Sequence, residues 1–97
     1  MAKYIRLTNL TEEGRRNIGQ STDRTDRMRE LAEETGGSIE DVFLTFGPYD
    51  FVTVADFPDD ESYAEFTLKA SREGGYESQT LKAVEEGDYD SIIQKLR

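Results

Sequence analysis

The chain has 97 residues, the size of one domain, and its 12 Lys and Arg against 21 Asp and Glu give a formal net charge of −9. It contains no Cys and no His, which excludes disulfides, a thiol nucleophile, Cys- or His-based metal sites and His-dependent catalytic triads. The acidic balance disfavours nucleic acid and anionic membranes as partners, and the apolar runs are too short to span a membrane.

The first predicted strand covers residues 3–9, where side chains alternate between the two faces of a sheet. The alternation places Ile5 and Leu7 on one face and Tyr4, Arg6 and Thr8 on the other. We expect the face with the aliphatic residues to be the core face. Thr11 then begins a short helical turn with acidic residues near its N-terminus, where they are favoured.

A longer helix is predicted over residues 22–35, with Ser21 as its N-cap. Its apolar positions recur at the spacing of one helix face and are Met28, Leu31, Ala32 and Thr35. Gly36-Gly37 follows directly, which predicts a left-handed C-terminal cap.

Residues 41–46 and 51–57 are predicted to form the second and third strands, joined by a short turn as an antiparallel hairpin. The expected core positions are Val42, Leu44 and Phe46 on the second strand and Val52 and Val54 on the third. Phe43 and Thr45 are expected on the opposite face.

A second helix is predicted over residues 59–73, since Pro58 and the acids that follow it favour a helix start. Gly74-Gly75 ends it, and residues 76–84 read as the fourth strand, with Leu81 and Ala83 toward the core. The helical spacing returns near the C-terminus at Tyr89, Ile92, Ile93 and Leu96, which predicts a short terminal helix.

This order of elements predicts one α+β domain over residues 1–97: a ferredoxin-like βαββαβ sandwich with a short C-terminal helix. Right-handed crossovers place both long helices on one face of a sheet whose strands follow the spatial order 4-1-3-2.

The face expected to stay uncovered combines aromatic residues, hydroxyls and cations. Its predicted members are Tyr4, Arg6, Thr8, Phe43, Thr45, Phe51, Thr53, Ala55, Ser78, Thr80 and Lys82. A solvated face would carry more charge and less Phe, whereas a dry core face would lack Arg6 and Lys82. Two interpretations remain: a sheet that packs on another sheet around a partly polar ligand cavity, or a dimer interface with a few satisfied polar groups and no ligand.

The turn between the second and third strands offers a second candidate feature. Pro48 holds φ at roughly −65°, which excludes a type I′ turn at that position. Asp50 has two interpretations: an acceptor for nearby backbone N–H groups within the turn, or, with Tyr49, the rim of a pocket shared with Tyr4 and Arg6. A buried Arg6 needs a partner, and Asp50 is the internal candidate.

The turn reads Gly47-Pro48-Tyr49-Asp50 within the segment 44–52, and the chain opens with Tyr4-Ile5-Arg6-Leu7-Thr8-Asn9. In this order and spacing the chain resembles the GYD domain family, which is named for the Gly-x-Tyr-Asp motif. The resemblance covers nearly the whole chain and implies a dimeric α+β barrel; it assigns no reaction. The turn also resembles the effector domain of leucine-responsive transcription regulators, which bind small molecules near a subunit interface.

Some proteins of similar fold are cofactor-independent monooxygenases or isomerases, for which Arg6, Asn9, Tyr49 and Asp50 are the available groups. Without His or Cys, and with no second acid or base expected near Asp50, we assign no catalytic residue. Enzymatic chemistry in the same cavity and a purely structural assembly module remain alternatives.

The sequence therefore predicts a homo-oligomeric small-molecule-binding or regulatory domain that forms a homodimer or a higher oligomer. The expected ligand-binding residues are Tyr4, Arg6, Asn9, Tyr49 and Asp50. We expect no metal, cofactor, nucleic acid or membrane partner. The N-terminus lacks the apolar core of a signal peptide, which predicts a cytoplasmic location. The acidic, Lys-poor surface suits a high-salt environment or an ordinary cytosol.

Overall fold

The computed structural model describes residues 2–97 as a four-stranded antiparallel sheet with two long helices on one face. In chain order its elements are β1 (Ala2–Leu10), α1 (Glu12–Arg16), a 3-10 turn (Ile18–Gln20), α2 (Ser21–Glu34), β2 (Ser38–Leu44), β3 (Phe51–Phe57), α3 (Asp60–Glu73), β4 (Tyr76–Ala83) and α4 (Glu86–Gln94). The strands lie in the order β2-β3-β1-β4. The predicted ferredoxin-like βαββαβ fold and its strand order are confirmed.

The ends of the helices follow local chemistry. The Asp59 side chain caps α3 by accepting a hydrogen bond from the Ser62 backbone N–H at 2.8 Å. After α2, Gly36 adopts a positive φ of 91° and the Gly37 N–H donates to the Ala32 carbonyl at 2.8 Å, as the predicted left-handed cap requires. The predicted cap at Ser21 is wrong, because Ser21 is already helical and no side chain caps α2.

The core lies between the sheet and helices α2 and α3. Its centre is aromatic: the Tyr4 ring stacks on the Tyr63 ring, with centroids 4.1 Å apart and planes 4° from parallel. Phe57 and Phe66 are fully buried beside them, with ring centroids 5.1 Å apart. The remaining buried apolar residues are Leu31, Ala32, Ala55 and Ala70.

The face of β1, β3 and β4 beneath the helices is the opposite of the one predicted. Tyr4, Arg6 and Thr53 are buried under the helix layer, whereas Ile5 and Val52 lie half-buried on the uncovered face. Six residues that were predicted to face the core lie instead on the uncovered face: Ile5, Leu7, Val52, Val54, Leu81 and Ala83. The aromatic residues of α3 explain the choice, since they pack on Tyr4 and Phe57 and not on an aliphatic face.

Strand β2 follows the prediction only in part. A bulge between Ile39 and Asp41 shifts its register, so that Val42 pairs with Thr53 and Phe43 with Val52. Val42 therefore faces the helix layer and Phe43 the uncovered face, as expected. Leu44 and Phe46, predicted as core residues, are exposed.

The open face of the sheet and helix α4 leave apolar side chains uncovered. Phe43 and Leu81 on the open face are each 52% exposed. Helix α4 buries none of its residues, and its predicted apolar stripe is exposed at Tyr89, Ile92, Ile93 and Leu96. The chain measures 52 × 31 × 17 Å. Within residues 2–97, no helix combines the length and the apolar character needed to cross a membrane.

Candidate functional site

Arg6 is a buried cation on the helix-covered face of β1. Only 4% of the residue is exposed, and its Nη2 donates to the Ser78 Oγ on the neighbouring strand at 3.0 Å. The guanidinium carbon lies 5.0 Å from the centroid of the Phe66 ring, in cation–π contact. Within the described part of the chain, its Nε and Nη1 have no hydrogen-bond partner.

This burial is energetically unfavourable for Arg6 as it stands. A buried donor left without a partner typically costs about 1–3 kcal/mol, and more when it is charged. Burial lowers the pKa of Arg6, and the nearby Tyr63 and Tyr76 raise it in part, while an arginine in a protein stays protonated. The ion pairs among residues 2–97 are all formed by other cations. Arg6 therefore presents two nitrogens, Nε and Nη1, whose N–H groups are unused, and an unneutralised charge.

A cavity of about 40 Å³ lies between α2 and the sheet, beside Arg6. Its lining is made of apolar side chains, hydroxyls and two guanidinium groups, contributed by Arg6, Thr8, Leu10, Ser21, Arg24, Thr25, Met28, Val42, Phe51, Thr53 and Tyr76. The volume available to solvent exceeds that needed for a single water molecule. The space is therefore suited to a small group that offers hydrogen-bond acceptors to Arg6.

Arg24, on helix α2, supplies the second guanidinium. It lies over the Tyr76 ring, 5.6 Å from the centroid, and its buried Nη1 has no partner among residues 2–97. Gly75 makes room for it, because a Cβ at Gly75 would lie 2.7 Å from this Nη1. A neighbouring cavity of about 170 Å³, between α2 and α3, shares Arg24, Met28 and Tyr76 with the first.

Tyr4, another predicted site residue, belongs to the aromatic core and not to a pocket wall. Its hydroxyl donates a hydrogen bond to the Asp60 carboxylate, and Lys82 donates to the same carboxylate at 2.7 Å. Burial and the bond to Asp60 raise the pKa of Tyr4 to about 12. The bonds from Lys82 and Tyr4 lower the pKa of Asp60. These three side chains connect β1, α3 and β4.

The Gly-Pro-Tyr-Asp turn bonds to the end of β1. Asp50 Oδ2 accepts from the Leu10 backbone N–H at 2.8 Å, and the Asp50 backbone N–H donates to the Thr8 carbonyl at 2.9 Å and to Asn9 Oδ1 at 3.1 Å. Tyr49 reaches across to the Gln79 side chain, with its hydroxyl donating at 2.9 Å. The expected pairing of Arg6 with Asp50 is wrong, since each has other partners.

The structure thus brings together three of the five predicted site residues, Asn9, Tyr49 and Asp50, at one end of the sheet. Tyr4 and Arg6 lie apart from them beneath the helices. A ligand role for the turn residues stays a prediction. Sequence reasoning missed Arg24, although it precedes Met28 by four residues and so shares the core face of α2. Among residues 2–97, no group of three or more acidic side chains is arranged to hold a metal ion.

The fold of this chain is similar to that of several solved structures. MtbAldR superposes with a TM-score of 0.68 and 16% sequence identity, covering 88% of this chain but only 52% of that one, so the chain spans about half its length. FFRP-DM1 gives a TM-score of 0.63 at 14% identity, covering 87% of this chain and 100% of the other. TTHA0845 from Thermus thermophilus gives 0.55 at 22% identity, covering 88% and 95%. These likenesses establish the fold.

At the level of sequence, no curated protein matches significantly. The model of one family does match: that of the GYD domain, over residues 4–93. This stretch includes β1 with Arg6, helix α2 with Arg24 and the Gly47–Asp50 turn. The chain therefore belongs to the GYD domain family.

Proposed function

We propose that this chain is a small-molecule-binding domain that acts as a homo-oligomer. The observation that carries the binding function is Arg6, a buried guanidinium with two unpartnered nitrogens at the wall of a cavity. Buried polar groups in folded proteins are nearly always hydrogen-bonded, and clustered apolar walls with a few convergent polar groups are typical of ligand sites. A bound small molecule would supply the acceptor that Arg6 lacks.

Self-association is supported by the open face of the sheet. The apolar residues of this face lie side by side, since the exposed Leu81 pairs with the half-buried Ile5 across β4 and β1, and the exposed Phe43 pairs with the half-buried Val52 across β2 and β3. Monomers rarely expose a contiguous apolar patch of this kind. A second copy that presents the same face would cover it, and the exposed stripe of α4 offers further apolar surface for that contact.

A regulatory role is supported by the resemblance of the Gly47–Asp50 turn to the effector domain of leucine-responsive transcription regulators, which is an argument by analogy. Ligand binding near an association surface is one way to couple a small molecule to oligomeric state. In this chain the sheet itself would provide the connection, since Arg6 lies on one face of β1 and Ile5 and Leu7 on the other.

Native mass spectrometry of the purified protein, together with thermal melting against a panel of metabolites, tests the binding function. We expect a co-purifying small molecule or a class of compounds that raises the melting temperature as its concentration increases. A protein that carries no small molecule and is stabilised by none of the panel would contradict the proposal and favour a purely structural assembly module.

A further inference from the structure

We propose that the ligand is a small organic carboxylate whose carboxylate group binds Arg6 in the cavity between α2 and the sheet. This assignment rests on the proposed binding function and adds the chemical class of the ligand. It concerns the helix-covered side of the sheet and not the open face; Leu10 and Phe51 adjoin Asp50, but no residue of the Gly47–Asp50 turn lines the cavity.

The charge of the site selects an anion. Arg6 and Arg24 both line the cavity, and each has a buried N–H group without a partner in the part of the chain that the structure describes. The overall charge of the chain is −9, yet no carboxylate of residues 2–97 pairs with Arg6. A cationic or neutral ligand would leave this charge uncompensated, whereas a carboxylate matches the geometry of a guanidinium group.

The lining selects an organic anion over an inorganic one. The walls beside Arg6 include Met28, Val42 and Phe51, which favour contact with a hydrocarbon group and cannot replace the water that an inorganic ion loses on entering the cavity. Chloride or phosphate would leave these walls without a complementary surface. The hydroxyls of Thr8 and Thr53 also line the cavity and are able to bond the second carboxylate oxygen.

The size of the cavity limits the acid. About 40 Å³ beside Arg6 accommodates a carboxylate with a few carbon atoms. The neighbouring cavity of about 170 Å³ begins at Arg24, Met28 and Tyr76, so a longer chain would extend past Arg24 between α2 and α3. Short monocarboxylates such as propionate and butyrate are therefore suitable probes.

The test on the wild-type protein compares propionate with propionamide, which has nearly the same shape without the charge, and with sodium chloride and phosphate at equal ionic strength. We expect only propionate to raise the melting temperature in a saturable manner and to shift the amide NMR signals of residues lining the cavity, such as Thr8, Thr25 and Thr53. Equal effects of propionamide, of chloride or of phosphate would overturn the carboxylate assignment, as would shifts confined to the Gly47–Asp50 turn or the open face.

Variants then identify the binding group. Arg6→Met removes the charge while keeping an unbranched side chain, and we expect propionate affinity to fall by about tenfold or more. Arg16→Met is the matched control, because Arg16 is an exposed arginine whose loss is expected to leave the affinity unchanged. Unchanged affinity in Arg6→Met would overturn the proposal; if that variant does not fold, the wild-type NMR comparison still decides it.

Different results would contradict the ligand class and the binding function. If another class of compound binds and propionate does not, the ligand class is wrong and the binding function stands. If no compound of any class binds and none co-purifies with the protein, both the ligand class and the binding function are wrong.

Discussion

At the scale of single residues, Arg6 and Asp50 differ in how fully their polar groups are hydrogen-bonded. Arg6 lies in the core because its stem packs beneath the helices and its guanidinium contacts Phe66 and Ser78. Two of its nitrogens remain without a partner within the described chain, so we expect a ligand that offers an acceptor to bind there. Asp50 shows the opposite case, since its carboxylate has a backbone donor at 2.8 Å from Leu10.

The bond from Leu10 to Asp50 predicts a structural effect of changes at Asp50. Asp50→Ala removes the acceptor for the Leu10 N–H, so we expect the free energy of unfolding to fall by roughly 1–2 kcal/mol in urea denaturation. Asp50→Asn keeps an acceptor and is expected to lie closer to the wild type. Loss of ligand binding in Asp50→Asn without loss of stability would instead establish the turn as a binding site.

The pKa of Asp60 predicts a pH dependence. Hydrogen bonds from Lys82 and Tyr4 lower this pKa below its usual 3.8. The interactions of the Asp60 carboxylate therefore contribute their full stabilisation at pH values above the pKa that Asp60 has in the unfolded chain. The contribution disappears as the pH falls through the lowered pKa of the folded state. In Lys82→Met we expect the pKa of Asp60 to rise, measured by carboxyl NMR titration, and the stability difference from the wild type to shrink below about pH 4.

Lys69→Met is the control for this titration. Lys69 pairs with Glu65 on the same helix at 3.3 Å and makes no bond to Asp60, so the pKa of Asp60 is expected to stay unchanged. An Asp60 carboxyl that titrates identically in the wild type and in Lys82→Met would show that the ion pair does not persist in solution.

At the scale of elements, close contacts between the helix ends and the sheet determine where glycine is needed. Gly37 lies between α2 and β2, where a Cβ would come within 2.4 Å of the Phe57 ring and 2.5 Å of the Asp56 carbonyl oxygen. Phe57 is fully buried. Gly14 on α1 and Gly75 before β4 form a similar contact, with a Cβ at Gly14 only 2.0 Å from the Gly75 carbonyl oxygen.

The contact at Gly37 predicts that Gly37→Ala destabilises the fold by roughly 1–3 kcal/mol, because the added methyl group overpacks the core. Gly19→Ala is the matched control. Nothing lies within 4 Å of its added Cβ, so we expect a change within about 0.5 kcal/mol. Urea midpoints at constant m-value provide the measurement. Equal midpoints for the two variants would mean that the helix end moves away from Phe57 without difficulty.

At the scale of the whole molecule, the two faces of the sheet have different roles. One face is covered by α2 and α3 and holds the aromatic core and the Arg6 cavity. The other face and helix α4 expose apolar residues to solvent in the isolated chain. Association of two copies through the open face would bury this surface and produce the dimeric barrel that the sequence predicts.

The open face predicts how single charges affect association. We expect light scattering to report a dimer or a multiple of it for the wild type, and monomers for Leu81→Glu, because a carboxylate buried in an apolar interface lacks a partner. Leu68→Glu is the control: Leu68 is 70% exposed on α3, and its variant is expected to remain associated. A monomeric wild type at micromolar concentration, or a dimeric Leu81→Glu, would contradict association through this face.

The sequence by itself determined the elements, their order and the family. Strand and helix periodicities are local properties, Gly36-Gly37 and Asp59 mark helix ends by local backbone chemistry, and right-handed crossovers leave few strand orders to choose from. The bulge at Ile39 and Asp41 and the N-terminus of α2 at Ser21 lacked such a signal and were missed.

Only the tertiary structure decided which face of the sheet the helices cover. Alternation along a strand defines two faces without assigning either to the core, and the choice depends on packing between residues far apart in sequence, such as Tyr4 with Tyr63. The same packing brings Arg6 and Arg24 to one cavity, while the Asp50 carboxylate bonds to the backbone at the end of β1. The candidate site therefore became visible only once the helices were placed on the sheet.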